Sequence, residues 1–153
     1  MNTTIVPSIQ KELLVEASQQ TAFTVFTEKM DLWWPRTHHI GKSPMTGLVL
    51  ESGPGGRWYS EHEDGSEATI GKVLTWDPYS LLVLNWQING DFVCDPTLVT
   101  EVEVLFIVEG PELTRVKFEH KHLDRLGGSG KTPEMMDQGW GMILDLYKAA
   151  ATR

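Results

Sequence analysis

The residues of this 153-residue chain with chemistry to offer are five histidines, one cysteine and several closely spaced carboxylates. His120 and His122 stand two apart, so on a strand they share a face, the spacing of a metal chelate. His38, His39 and His62 lie on other segments from which further ligands would have to come. No carboxylate shares the His120 face, so hydrogen-bonded histidines at a strand end are the simpler reading and no metal is expected. His120 keeps an interest as an inward polar group able to orient a ligand or move a proton. Glu61, Glu63, Glu67, Glu101 and Glu103 look like paired acids. By parity, however, Glu61 and Glu63 fall opposite Trp58, and Glu101 and Glu103 opposite Val102, as on the solvated face of a sheet. Cys94 has no base beside it in sequence and reads as a small loop or buried residue rather than a nucleophile. The stretch Gly128-Ser129-Gly130-Lys131-Thr132 invites a phosphate-loop reading. Arg125 occupies the place of that motif's first glycine, and Pro133 removes an N–H that would help hold phosphate. No serine sits in a nucleophile elbow. No catalytic residue and no cofactor are therefore expected.

Composition narrows the classes further. Thirteen basic against 21 acidic side chains give a formal charge of −8, and the basic residues form no run, which argues against nucleic-acid binding. A single cysteine allows no intramolecular disulfide. The N-terminal MNTTIVPSIQKELL lacks the pattern of a signal peptide, and no segment approaches the ~20 apolar residues of a membrane span. The default expectation is a cytoplasmic protein. One domain over residues 1–153 can bury roughly 70% of its unfolded surface, enough for a substantial core.

The clearest element is a helix over Thr132–Ala151. At 100° per residue Met136, Trp140, Ile143, Tyr147 and Ala150 share a narrow sector, flanked by Leu144 and Leu146. Thr132 suits the N-cap, Pro133 the first helical position, and Glu134 complements the dipole. Gly139 and Gly141 are costly inside a helix and suggest close approach of a sheet or mobility of a lid. Before it, Ile9–Ala17 alternates as a strand with Ile9, Leu13 and Val15 on one face. Ser18 or Thr21 caps a short helix through Phe26 that buries Ala22, Val25 and Phe26, and a second turn over Glu28–Trp34 stops at Pro35. Residues 36–47 are irregular. Strands follow at Leu48–Glu51, Arg57–Glu63, Glu67–Trp76, Leu81–Ile88, Leu98–Val108 and Leu113–His122, separated by Gly/Pro, Asp-Gly and Asn-Gly turn signals. The order β-α-α-β6-α predicts an α+β fold in which an antiparallel sheet closes on the last helix.

Parity then sorts the large side chains. Trp58, Ser60 and His62 share a face; Leu82, Leu84, Trp86 and Ile88 form a row; Val102, Val104, Phe106 and Val108 form another. Val116, Phe118 and His120 form a third, with His122 as a candidate continuation. Six tryptophans either fill a core, which composition alone favours, or wall a small-molecule site.

Trp33-Trp34-Pro35, His38-His39-Ile40-Gly41 and Pro54-Gly55-Gly56-Arg57-Trp58 are followed by Gly71-Lys72-Val73, Trp76-Asp77-Pro78, Leu84-Asn85-Trp86, Thr114-Arg115-Val116 and Gly139-Trp140. In this order they resemble the SRPBCC (START-like) superfamily, in the branch named for the activator of heat shock protein 90 ATPase, over about residues 9–150. The resemblance implies a helix-grip fold: a curved antiparallel sheet around the long C-terminal helix, enclosing a hydrophobic cavity. It reverses the preference for a filled core. The cavity positions it carries over are Trp34, Trp58, Trp86, Phe118, His120, Met136, Trp140 and Ile143, with Met136 nearest the cavity and Trp140 and Ile143 helping to seal the core. His120, Asn85 and Ser60 are its candidate polar groups. The branch carries no fixed catalytic set.

Three functions follow in order. The first is a binding module for a small hydrophobic or aromatic molecule. The second is a cyclase- or hydrolase-like enzyme on such compounds, with His120 as acid or base. The third is a protein-interaction domain, as a homodimer or against a chaperone, using an outer patch at Leu105 and Ile107.

Overall fold

The computed structural model describes residues 8–40, 42–89, 93–125 and 133–152, and of Pro133 and Glu134 the backbone alone. Strand β1 (Ile9–Val15) leads into α1 (Gln19–Thr27) and α2 (Met30–Trp33). Six strands follow: β2 (Met45–Leu50), β3 (Arg57–His62), β4 (Glu67–Asp77), β5 (Leu81–Trp86), β6 (Thr100–Gly110) and β7 (Leu113–Lys121). A 3-10 turn at Leu123–Arg125 precedes the final helix α3 (Pro133–Ala151). All seven strands pair antiparallel in the order β1-β7-β6-β5-β4-β3-β2. This is the curved sheet and long helix of the α+β helix-grip fold.

Local chemistry places these elements. Ser18 caps α1, its Oγ accepting the Thr21 N–H at 3.2 Å. Ladder irregularities at Met45/Gly47, Trp58/Tyr59, Val73/Thr75 and Val108/Gly110 add twist, which lets the sheet wrap a helix. At the second of these, Gly71 is opposite Trp58, and a Cβ there would lie 1.5 Å from the Asn85 carbonyl oxygen. Only glycine fits that crossing.

Several expected boundaries move. β6 begins at Thr100 rather than Leu98 because Asp95 nucleates a turn: its carboxylate accepts the Thr97 N–H at 2.9 Å and the Thr97 hydroxyl at 2.7 Å. Both bonds favour the ionised form and hold the Asp95 carboxyl below its ordinary pKa. β5 ends at Trp86, leaving Ile88 in a single bridge to Cys94. The row Val102–Val104–Phe106 is buried as expected, but Val108, still in register opposite Thr114 near the end of the strand, is exposed. Ala17 lies beyond β1, and its carbonyl accepts the Thr114 hydroxyl at 2.9 Å. On α3, Met136, Trp140, Ile143, Leu144 and Tyr147 are buried, whereas Leu146 is exposed. The Thr132 cap and the 128–132 glycine-lysine stretch lie outside the described residues.

The outer face of the sheet is charged. Arg115 pairs with Glu12 at 2.8 Å and Glu109 at 3.3 Å, Lys121 with Glu103 at 3.3 Å, and Arg57 with Glu67 at 2.8 Å. The carboxylates at 61, 67, 101 and 103 thus sit as a solvated face requires. No helix among the described residues is long and apolar enough to cross a membrane.

Candidate functional site

Two sets of aromatic rings meet α3. Along its C-terminal half, Tyr147 packs on Phe26 and Trp33, which adjoin Phe23 and Phe106. Along its N-terminal half a cavity of about 310 Å³ opens instead. Trp34, Trp86, Trp140, Met136 and Ile143 wall it, Ile70, Ile88 and Met135 add apolar surface, and Thr37, His38 and His39 bring polar atoms from the segment after α2. The volume falls at the small end of the ~300–1,000 Å³ usual for ligand sites.

Each indole N–H of the three wall tryptophans is already committed to protein. Trp34 Nε1 donates to the His38 carbonyl at 2.8 Å, Trp86 Nε1 to the Ile88 carbonyl at 2.9 Å, and Trp140 Nε1 to His120 Nδ1 at 3.2 Å. Trp140 meets Trp34 edge-on, centroids 5.9 Å apart, and Trp86 at 5.5 Å. The walls therefore offer ring surface and shape, and directional bonding is left to the histidine segment.

His120 supports this wall. It is fully buried, and with Nδ1 accepting from Trp140 its neutral ring carries hydrogen on Nε2, which faces the Thr100 hydroxyl at 3.0 Å. Thr100 in turn donates to the Trp86 carbonyl at 2.8 Å. One relay thus ties two cavity tryptophans to the sheet. Both ring nitrogens of His120 are engaged, so its geometry is that of a brace rather than a proton carrier. Trp58 and Phe118 also stand behind the lining, Trp58 in contact with Trp34 and Trp86, and Phe118 with Trp140 at 4.6 Å. Of the eight positions carried over by resemblance, Trp34, Trp86, Met136, Trp140 and Ile143 border the cavity directly; Trp58, Phe118 and His120 do not. Met136 is thus not alone there, since Trp140 and Ile143 face the same space.

The other candidate polar groups point elsewhere. Asn85 lies opposite Trp86 in parity, registered against Lys72 and Glu101, where it is buried and its Oδ1 has no partner among the described residues. Ser60 bonds His62 Nε2 at 2.8 Å, and His62 Nδ1 donates to the Ser43 carbonyl at 2.8 Å. His122 does not continue the inward row. Its φ of 67° turns the chain, and the ring meets Glu101 outside at 3.3 Å. No group of three or more His, Cys, Asp or Glu among the described residues is arranged to hold a metal. Burial and the neighbouring Asp95 push the Cys94 thiol up, away from the nucleophilic form.

Sequence reasoning passed over His39 as a cavity residue, along with Thr37, His38 and Ile40. Residues 36–47 show no periodicity, and only the turn after Trp34-Pro35 hints that they return across the sheet. The His39 ring lies edge-on to His62 at 5.1 Å, and its Nδ1 donates to the Ile40 carbonyl at 3.1 Å. That leaves Nε2 as an acceptor. For Gly139 the expectation was close approach of the sheet or mobility of a lid. It borders the cavity, and among the described residues no atom beyond its own helix backbone and chain neighbours comes within 4 Å of a Cβ there, so no sheet approaches it closely.

A curved sheet gripping a helix beside an aromatic-walled cavity defines the START-like class. The chain belongs to the family described as activator of Hsp90 ATPase homolog 1-like protein, whose sequence pattern matches residues 16–151. Among similar solved structures is the anthrahydroquino-gamma-pyrone synthase Txn09, 32% identical, covering 95% of this chain and 97% of that one, with a TM-score of 0.65. The self-sacrificing resistance protein CalC from Micromonospora echinospora is 34% identical, covering 95% and 94%, with a TM-score of 0.71. An HSP90 activator from Plasmodium falciparum, 15% identical over 94% of each chain with a TM-score of 0.64, shares the fold alone. No curated protein matches the chain.

Proposed function

We propose that this protein binds a small, flat, largely apolar ring compound between the N-terminal half of α3 and the sheet. The observation that carries this reading is the set of three wall indoles whose N–H groups are all satisfied by protein. An apolar guest can replace water there without stranding a donor. Its polar edge would meet His39 Nε2, so a phenolic or enolic hydroxyl is the best-fitting substituent. The likeness to an anthrahydroquino-gamma-pyrone synthase supports a ring-shaped guest. The contact residues in this reading are Trp34, Trp86, Met136, Trp140 and Ile143, with Trp58, Phe118 and His120 holding them. A cytoplasmic location and a single domain over residues 1–153 belong to the same proposal.

The test is thermal unfolding with a panel of naphthols, anthracenols and flavonoids, beside saturated fatty acids as a contrast. Binding to the native state raises the melting temperature by mass action, and a ligand at a hundred times its Kd adds about 2.7 kcal/mol. Hydroxylated rings should shift the transition and quench tryptophan fluorescence. No shift with any ring compound would sink the reading. A second reading, enzymatic rearrangement of the same guest, draws on His39 as a cavity base. His39→Gln that retains binding but loses turnover would favour it.

A further inference from the structure

We infer that Gly139 is the residue that sets how large a ring compound the cavity admits, an inference that rests on the ligand-binding reading above. Glycines in this chain are held in place for different reasons. Gly71 is imposed by backbone, since its Cβ would strike the Asn85 carbonyl, and a Cβ at Gly47 would come within 3.0 Å of a Glu61 carboxylate oxygen. Gly53, Gly55 and Gly65 occupy positive φ. Gly139 has none of these reasons. It lies inside α3 without a positive φ, and among the described residues no atom beyond its own helix backbone and chain neighbours comes within 4 Å of its Cβ position.

Its place on the helix gives that emptiness a consequence. Residues 136 and 143 are one turn to either side, so Gly139 shares a face with Met136 and Ile143, both of which border the cavity. Trp140 stands beside it on the same wall. A helix favours almost any other residue at this position, and no described residue packs into the place its Cβ would take. Gly139 lines the proposed binding space, so every atom added at 139 is subtracted from the room left for a guest. Gly141 supplies an internal control. It has the same helix cost, but its Cβ would make an ordinary contact with Lys11 Nζ at 3.7 Å, and it does not border the cavity.

The experiment titrates the full chain with prodan, a neutral naphthalene fluorophore, and unfolds each variant in urea. Gly139→Ala should bind prodan more weakly than the wild type, and Gly139→Leu at least tenfold more weakly. Gly139→Ala should unfold at higher urea, because it gains helix propensity and its Cβ meets no described atom within 4 Å. Gly141→Ala should gain a similar midpoint shift with wild-type affinity. Wild-type affinity in Gly139→Leu overturns the inference while leaving the binding reading intact. A Gly139→Ala protein less stable than wild type also overturns it, by revealing a packing need for glycine. Wild-type protein that ignores prodan and every ring of the thermal panel removes the binding reading and this inference together.

Discussion

Around the C-terminal half of α3, Phe23, Phe26, Trp33, Phe106 and Tyr147 pack ring to ring at centroid distances from 5.0 to 5.8 Å. Around its N-terminal half, Trp34 and Trp86 stand 5.9 and 5.5 Å from Trp140, and yet the three border a cavity. Ring size and ring spacing therefore do not decide which end is filled. The supply of a third layer does. At the filled end α1 delivers Phe23 and Phe26 between α3 and the Phe106 strand, and the Trp33 N–H fastens α2 to the Val25 carbonyl at 2.7 Å. At the hollow end the covering element is the irregular segment 34–40, which reaches the site with Thr37, two histidines and Ile40, and α3 presents a glycine. One helix thus carries a core along one half and a cavity wall along the other.

The sharpest way to break that contrast is to delete comparable side chains from each end. Phe106→Ala removes a buried ring from a close-packed set and should cost about 3–5 kcal/mol, since the neighbours cannot fully collapse. Ile143→Ala borders space that already exists and should cost at most ~2 kcal/mol, the low edge for a buried isoleucine. Urea unfolding measures both. Should Ile143→Ala cost as much as Phe106→Ala, the hollow end would be packed as tightly as the other and the cavity would not exist in solution.

Next in size is the brace between the two regions. His120→Phe keeps a ring of similar size but withdraws the acceptor of the Trp140 N–H and the partner of Thr100. A buried donor left without a partner costs about 1–3 kcal/mol. The variant should therefore lose that much stability, and its Trp140 should be freer to rotate into the cavity, with weakened ligand binding. Unchanged stability together with unchanged binding would show that the relay through Thr100 to Trp86 holds nothing in place.

Most of the filled end was legible from sequence, and most of the hollow end was not. Strand parity put Phe106, Val104 and Leu84 inward, and helical spacing put Tyr147 and Trp140 on one side of α3, because both signals are local and periodic. The resemblance named the wall tryptophans and also Trp58, Phe118 and His120, but parity cannot separate a lining residue from one a layer behind it. That distinction is a matter of depth, set by where other elements stop. His39 was invisible for a different reason: an aperiodic segment carries no facing rule, so its cavity position follows only from the tertiary path. His122 misled because a single left-handed residue inverts the parity that the preceding strand establishes.

The smallest effect, and the one with a pH signature, lies at Tyr147. Its hydroxyl donates to the Ala22 carbonyl at 2.8 Å, joining α3 to α1 deep in the filled end. Tyr147→Phe should cost about 1 kcal/mol near neutral pH, the net value of a typical buried hydrogen bond. Burial raises the Tyr147 pKa far above its ordinary 10. The unfolded chain begins to release this proton near pH 10, whereas the folded protein keeps it, so the stabilising contribution is complete below pH 10 and declines above it. Each pH unit beyond removes up to ~1.4 kcal/mol from the wild type through this group alone. The variant has no such proton, and the other titrating groups are common to both proteins. The advantage of wild type over Tyr147→Phe should therefore be level from pH 7 to 9, vanish near pH 11 and reverse above it. A difference that stayed level through pH 11 would mean that Tyr147 ionises in the folded protein as it does in the unfolded chain. Water would then reach the end of the helix that its packing closes, and the contrast between the two ends would be lost.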